Sequence, residues 1–192
     1  KEYRRQRQMC IRDRYKPASD FTYIGTIGRF PVALVVHPDF PAKNVAEFVR
    51  YVKANPEKVS YASPGNGSPH HMAMELFKQK AGLSIVHVPY KGAAPAMSDV
   101  MGGQVPVMML DLASGLSIIK SGKVRVLAIA LPQRANALPE VPTFVEAGFP
   151  DVNAYAFHGL IGPAGMQPEA VARLNAEPVS YTHLRAHETR HD

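Results

Sequence analysis

A glycine-containing loop between a short strand and a helix has the residue types best suited to bind a ligand. It runs from Ser63 to Ser68 and contains Gly65 and Gly67. The two glycines permit positive φ angles and leave backbone N–H groups uncovered by Cβ atoms. This pattern predicts a cradle for an anion, and we expect a carboxylate there. A tight strand-to-helix turn without a ligand is the simpler alternative.

The helix after this loop is expected to add to the attraction for an anion. Ser68 is a favourable N-cap, and Pro69 suits the first helical position, where its missing N–H costs nothing. The first turn of a helix presents free N–H groups and the positive end of the helix dipole. A ligand above the loop would therefore face several donors at once.

Short apolar runs alternate with amphipathic segments along residues 17–177, which indicates an α/β fold with a mostly parallel sheet. Pro31 is expected to separate a first strand from an apolar run suited to a strand buried on both faces. The expected strands are 21–28, 32–37, 59–62, 85–90, 105–111, 124–130 and 155–161, and the expected helices begin near 44, 68, 95, 113, 143 and 168.

Three polar features fall at the carboxyl ends of expected strands. They are the loop at 63–68, the turn at 90–95 that begins with Tyr90, and Asp111. Ligands of parallel α/β sheets bind at these ends, so the pattern predicts one site. Tyr90 as a wall aromatic and Asp111 as a helix cap are the alternative interpretations.

The net charge of +6 does not indicate a nucleic-acid surface, because the excess lies in one tail. Residues 1–16 carry seven Lys or Arg and two acids, whereas residues 17–177 carry 13 basic and 12 acidic residues. A near-neutral body argues against binding nucleic acid through the fold. The single cysteine, Cys10, lies in the same tail and gives no evidence about compartment.

Both terminal segments differ from the body. Residues 1–16 and 178–192 have no apolar period and resemble translated adapter sequence, so we interpret them as non-native or disordered tails. No apolar run approaches 18 residues, and no basic-then-apolar leader begins the chain.

Other chemistries match the sequence less well. The Gly65-Asn66-Gly67 run lacks the third glycine of a dinucleotide fingerprint, because His70 occupies that place, and the chain has no P-loop. His71 and Glu75 could share a helix face, but no third metal ligand is evident. A hydrolase or dehydrogenase that uses the same loop is the alternative function that we keep.

Several segments together resemble the Bug family, the substrate-binding proteins of tripartite tricarboxylate transporters. The similarity covers about residues 17–177, and the segments are YASPGNGSPHHMAMELF (61–77), HVPYKGAAPA (87–96), GGQV (102–105), LPEVPT (138–143) and EAG (146–148).

The resemblance implies a two-lobe clamp of the type II periplasmic-binding-protein class. It would place a remnant of the first lobe at 17–33, the second lobe at 34–154 with the ligand loop at 61–71, and a return to the first lobe at 155–177. The implied function is capture of a small di- or tricarboxylate, or a related organic acid, in the periplasm and its delivery to the membrane components of a transporter. The implied protein is a monomer that uses no cofactor, binds no nucleic acid and catalyses no reaction.

The resemblance also implies the site residues and one departure. The acid would be bound through backbone N–H groups, hydroxyls and waters, with His71 in a structural role; the candidates are Ser63, Gly65, Asn66, Gly67, Ser68, His71, Tyr90 and Asp111. Pro106 stands where the family commonly has Asp, which predicts an edge strand or a bulge. Nothing before Pro17 matches the family's first-lobe loop, so we expect a fragment that binds weakly.

Overall fold

The computed structural model describes residue 16 and residues 19–176. In chain order the elements are β1 (Phe21–Val36), α1 (Val45–Ala54), β2 (Ser60–Ser63), α2 (Pro69–Ala81), β3 (Val86–Pro89), α3 (Ala93–Met101), β4 (Val107–Asp111), α4 (Leu112–Lys120), β5 (Arg125–Ile129), β6 (Tyr155–Pro163) and α5 (168–176). No helix in this part of the chain is long and apolar enough to cross a membrane.

The chain forms two compact units. One is Phe30–Ala156, and the other comprises the described residues before Phe30 and after Ala156. In the smaller unit β6 pairs with β1, Thr22 Oγ1 donates to the carbonyl of Pro163 over 3.0 Å, and the Ala164 N–H donates to the carbonyl of Asp20. The lobe boundaries implied by the family resemblance stay a prediction.

The larger unit contains a mixed sheet in the order β3-β2-β4-β1-β5. β2 pairs in parallel with both β3 and β4, as the alternation of strands and helices predicted. β1 is antiparallel to β4 and to β5, with an irregularity between Leu34 and Val35. The α/β prediction is confirmed, and β1 is the one antiparallel member of this sheet.

Two sequence predictions about proline are wrong. Pro31 does not interrupt the first strand, because β1 runs continuously through it. Pro106 is not within an edge strand or a bulge, since it precedes the central strand β4 and its carbonyl accepts the His37 N–H over 2.9 Å. Because Pro106 lies before β4, its missing N–H removes no hydrogen bond between the strands.

The segment expected to be a helix from residue 143 is a turn instead. Thr143 forms a parallel bridge with Ile129, and residues 144–148 form turns. The Thr143 N–H donates to Glu146 Oε2 over 2.8 Å, and the Glu146 N–H donates to Thr143 Oγ1 over 3.2 Å. This reciprocal pair is the capping pattern of a helix start, and here it closes a turn.

The sheet of the larger unit is covered on both faces. Val32, Leu34 and Val36 of β1 belong to one buried cluster, with side chains of α1 and α2, while Ala33 and Val35 belong to another with side chains of α3 and α4. Successive side chains of a strand point to opposite faces. All five are fully buried, which confirms the prediction of a strand buried on both sides.

Arg125 on β5 connects the sheet to the loop that precedes α1. Its guanidinium donates to the carbonyls of Phe40 and Ala42 over 3.1 Å and to the carbonyl of Pro38 over 2.6 Å. Arg125→Met keeps most of the stem but leaves three carbonyls without this donor. Hydrogen bonds from charged groups contribute about 1.5–3 kcal/mol each. We therefore expect urea denaturation to show a loss of at least about 2 kcal/mol in the free energy of unfolding.

The matched control is Arg134→Met. Arg134 lies about half exposed, pairs with Glu146 over 3.0 Å and donates to the exposed carbonyl of Pro139 over 3.0 Å. Exposed ion pairs contribute about 0–1 kcal/mol. Equal losses for the two variants would contradict the role given to Arg125.

Candidate ligand-binding site

Three helices begin at one edge of the sheet in the larger unit. The strands β3, β2 and β4 are adjacent and parallel. Along the chain, β2 leads into α2, β3 leads into α3 and β4 leads into α4. The N-caps of α3 and α4 are Gly92 and Asp111, and neither makes a side-chain cap hydrogen bond. First-turn N–H groups have no partner within their own helix. This edge therefore concentrates donors and positive helix ends, and we call it the donor edge.

The loop at 63–68 has the backbone predicted for it. Gly65 and Gly67 have φ angles of 148° and 77°. Ser68 is the N-cap of α2, and its Oγ accepts the His71 N–H over 3.3 Å and donates to the carbonyl of Gly65 over 2.8 Å. The Ser68 hydroxyl thus closes the loop and caps the helix together.

Ser63 lies beneath this loop with none of its surface exposed. Its Oγ is 2.6 Å from Nε2 of His87 and accepts the Gly65 N–H over 3.2 Å. The hydroxyl predicted to contact the acid is therefore used inside the protein. It joins the end of β2 to the neighbouring strand β3.

The turn after β3 is bonded to the loop after β2. The N–H of Tyr90 donates to the carbonyl of Ser63, and the N–H of Gly92 donates to the carbonyl of Pro64, each over 2.9 Å. The Tyr90 hydroxyl donates to Oδ2 of Asp99 over 2.6 Å, and this hydrogen bond, with a smaller contribution from burial, raises the pKa of Tyr90 to about 12. Tyr90 thus stays protonated and ties its turn to α3.

Asp111 faces the start of α2. Its Oδ1 lies 3.1 Å from Nε2 of His70, whose side chain is nine-tenths buried. Neither Nδ1 of His70 nor Oδ1 of Asp111 has a hydrogen-bond partner of good geometry, although both atoms are buried. The pair connects the end of β4 with the first turn of α2. Sequence reasoning did not assign His70 to the site, although its place in that turn was the available signal.

Aromatic and imidazole rings stack beside the loop. The rings of Tyr61 and His87 lie 4.8 Å apart and those of His87 and His71 lie 4.2 Å apart, with interplanar angles of 20° and 14°. The Gly67 N–H donates to Nδ1 of His71 over 3.1 Å. We call Tyr61, His87 and His71 the ring stack. Sequence reasoning did not assign His87 to the site either. Its available signal was the strand register, since Tyr61 and His87 are Cα partners in the parallel pair β2–β3.

Charged side chains of α2 complete the surroundings of the ring stack. The Tyr61 hydroxyl donates to Oε1 of Glu75 over 2.6 Å, and Nζ of Lys78 lies 2.7 Å from the same oxygen. Burial alone would raise the pKa of Glu75, but the hydrogen bonds from Lys78 and Tyr61 outweigh it and lower that pKa. Burial lowers the pKa of His87, and the nearby His71 lowers it further. The inner imidazole is therefore held neutral.

A family model described as "Tripartite tricarboxylate transporter family receptor", TctC, matches residues 5–185. The chain belongs to the TctC family. The matched range overlaps both terminal segments, of which the structure describes residue 16 alone, and their interpretation as non-native or disordered stays a prediction.

This TctC chain is similar to named relatives and to solved structures. The chain is 33% identical to BugT of Bordetella pertussis, across 84% of this chain and 49% of BugT. It is 34% identical to Rpa4515 of R. palustris, solved with adipate, with a TM-score of 0.81 and coverage of 85% and 55%. MatC of Rhodopseudomonas palustris, solved with bound malate, is 32% identical, with a TM-score of 0.82 and coverage of 86% and 56%. The chain thus spans about half the length of these relatives, and the family assignment and periplasmic-binding-protein fold are confirmed.

The TctC chain gathers most of the predicted site residues on the donor edge. Five of them are connected to one another by hydrogen bonds, namely Ser63, Gly65, Gly67, Ser68 and His71. Tyr90 joins through its backbone and Asp111 through His70, while Asn66 is exposed within the loop. Among the described residues no three His, Cys, Asp or Glu side chains form a group that could hold a metal ion.

Proposed function

We propose that this chain binds a small organic carboxylate at the donor edge, as part of a solute-binding receptor. The observation that carries the proposal is the convergence of three helix starts at one edge, two of them without a side-chain cap. Helix N-termini bind anions through free N–H groups and the dipole. The adipate and malate in two relatives support the ligand class.

Within this proposal the predicted residues take different roles. Asn66 and the backbone N–H groups at the starts of α2, α3 and α4 contact the acid. Ser63, Gly65, Gly67 and Ser68 give the loop its shape, since their polar atoms bond to one another and to the ring stack. His71, Tyr90 and Asp111 border the acid.

We further propose that Phe30–Ala156 is the second lobe of a clamp and that the flanking described residues belong to the first. The receptor works as a monomer in the periplasm and delivers its ligand to the membrane components of a tripartite tricarboxylate-type transporter. It uses no cofactor and leaves the ligand unchanged. The family and its relatives support this role.

A hydrolase using the same loop finds less support in the geometry. Ser63 and His87 are within hydrogen-bond distance, as a nucleophile and its base would be. However, Ser63 has no exposed surface and its hydroxyl also bonds to Gly65. A substrate could not reach that oxygen without displacing the loop.

The function is tested by calorimetry with the 192-residue chain and a panel of adipate, malate and citrate. With 1,6-diaminohexane, which resembles adipate in length but carries the opposite charge, we expect no binding. Because the chain spans about half the length of its relatives, we expect dissociation constants of about 1 mM for the carboxylates, which is a binding free energy of about −4 kcal/mol. Chromatography of the ligand afterwards should recover it unchanged. Equal binding of the diamine, or consumption of the acid, would contradict the proposal.

A further inference from the structure

We propose that carboxylate binding at the donor edge is coupled to the uptake of one proton by Nδ1 of His71, and that His87 positions His71 for this exchange. This inference rests on the proposed function, because it concerns the same loop. The inference gives the ring stack a role in proton uptake, in addition to its packing.

In the structure, a side chain of α2 accepts a hydrogen bond from the loop. The Gly67 N–H donates to Nδ1 of His71 over 3.1 Å, so Nδ1 is the unprotonated nitrogen and the ring proton lies on Nε2. The Gly67 N–H is therefore occupied and does not face a ligand. His71 competes with an incoming anion for this donor.

A proton on Nδ1 of His71 reverses this arrangement. The nitrogen changes from acceptor to donor, so that two N–H groups, those of Gly67 and of His71, point at each other. When the loop moves so that the two nitrogens separate, a carboxylate oxygen can accept from both, and one of these hydrogen bonds is charge-assisted. The anion and the proton thus favour each other's binding, and the coupling is reciprocal.

The contacts of the ring stack direct the proton to His71 instead of His87. His87 lies between Tyr61 and His71, and its Nε2 is 2.6 Å from the Ser63 hydroxyl. Burial lowers its pKa most, and charge on His71 and Lys78 lowers it further, while Glu75 opposes them. Two imidazolium rings 4.2 Å apart would repel each other. The outer ring, His71, is therefore the proton acceptor.

The groups that face His71 come from each packed element. Tyr61 on β2 is held in its neutral form, since burial raises its pKa above its usual range and the bond to Glu75 adds to this. His87 is contributed by β3, and Glu75 and Lys78 are contributed by α2. Glu75 is one helical turn from His71 on α2. Its partners Tyr61 and Lys78 hold it in place.

The test compares adipate affinity for wild type and His71→Gln between about pH 8 and pH 5.5, the range in which histidines titrate. Gln keeps an oxygen that can accept from Gly67 but does not titrate there. Titration of adipate itself is common to both proteins and cancels in the ratio. We expect the ratio of wild-type to variant affinity to rise as pH falls, by up to about tenfold per pH unit. A ratio independent of pH would overturn the inference alone, whereas no binding at any pH would overturn the proposed function as well.

A second readout needs no ligand. The NMR signal of the Gly67 amide is expected to move with pH in wild type and to stay constant in His71→Gln. The Gly82 amide, at the other end of α2, is the internal control. His87→Phe keeps a stacked ring and is expected to preserve the pH response, whereas His87→Ala is expected to reduce it. A Gly67 signal that ignores pH in wild type, or equal responses in both His87 variants, would contradict the proposed roles.

Discussion

Gly67→Val is expected to weaken carboxylate binding by about tenfold or more while the fold remains intact. Gly67 has a φ of 77°, a region that costs residues with a Cβ about 1–2 kcal/mol. A Cβ there would meet no atom within 4 Å, so the cost is confined to the backbone. Relief of this strain rotates the peptide, so that the Gly67 N–H points away both from His71 and from an acid bound beside it.

The matched control is Gly82→Val. Gly82 is the C-cap of α2, has a φ of 62°, and also has no atom within 4 Å of its Cβ position. Both variants should lose about 1–2 kcal/mol of unfolding free energy in urea. Calorimetry with adipate should show a loss of affinity for Gly67→Val alone. If both variants bind as wild type does, the acid does not sit on this loop.

Phe77→Ala is expected to cause the largest loss of stability of any change proposed here. Phe77 is fully buried on α2, and its ring contacts those of Phe48, Phe144 and Phe149 at centroid distances of 6.1, 5.0 and 5.2 Å. Truncation of such a residue leaves a cavity and costs about 3–5 kcal/mol. Urea denaturation followed by circular dichroism measures this loss. Since small proteins are stable by only about 5–15 kcal/mol, this change should remove a large share of the free energy of unfolding.

Met72→Ala on the same helix is the control for this experiment. Met72 is 59% exposed, and surface changes of this kind alter stability by about 0.5 kcal/mol or less. Similar losses in the two variants would mean that α2 is not held by its Phe77 face. Because α2 presents the loop, adipate affinity should fall with Phe77→Ala even at temperatures where the chain is still folded.

Features that depend on neighbours in sequence were predictable. The run Val32–Val36 indicated a strand buried on both faces, and Ser68 indicated the start of α2, which ends at a left-handed Gly82. Capping side chains and left-handed glycines act within one helical turn. Asn44 shows the same, since its Oδ1 accepts the Glu47 N–H over 2.9 Å at the start of α1.

Features that depend on distant pairing were not predictable in the same way. The continuity of β1 through Pro31 depends on partners that lie far along the chain, since β4 and β5 pair with β1 after Pro31 and β6 also pairs with β1. The turn from Thr143 carries a helix-start pattern, but its bridge to Ile129 replaces the helix. Long-range contacts overrode local preference in both cases.

In the candidate site, too, local features were predictable from the sequence and features that depend on distant pairing were not. The loop glycines and the cap followed from local rules, whereas the ring stack required the register of β2 and β3. Burial of Ser63 could not be read from its residue type, because a serine at a strand end suits a ligand contact or an internal bond equally well. The pairing of His70 with Asp111 needed the order of the strands as well.

The position of β1 also sets the order in which the chain can complete its sheet during synthesis. Val32 pairs with Asp111, and Ala33 pairs with Ile129 on the other side. Both edges of β1 are therefore covered only after almost a hundred further residues have been synthesised. Until then its apolar side chains and free backbone groups are open to pairing with other chains. In a growing chain of this topology, β1 is therefore exposed to association with other chains until β5 has been synthesised.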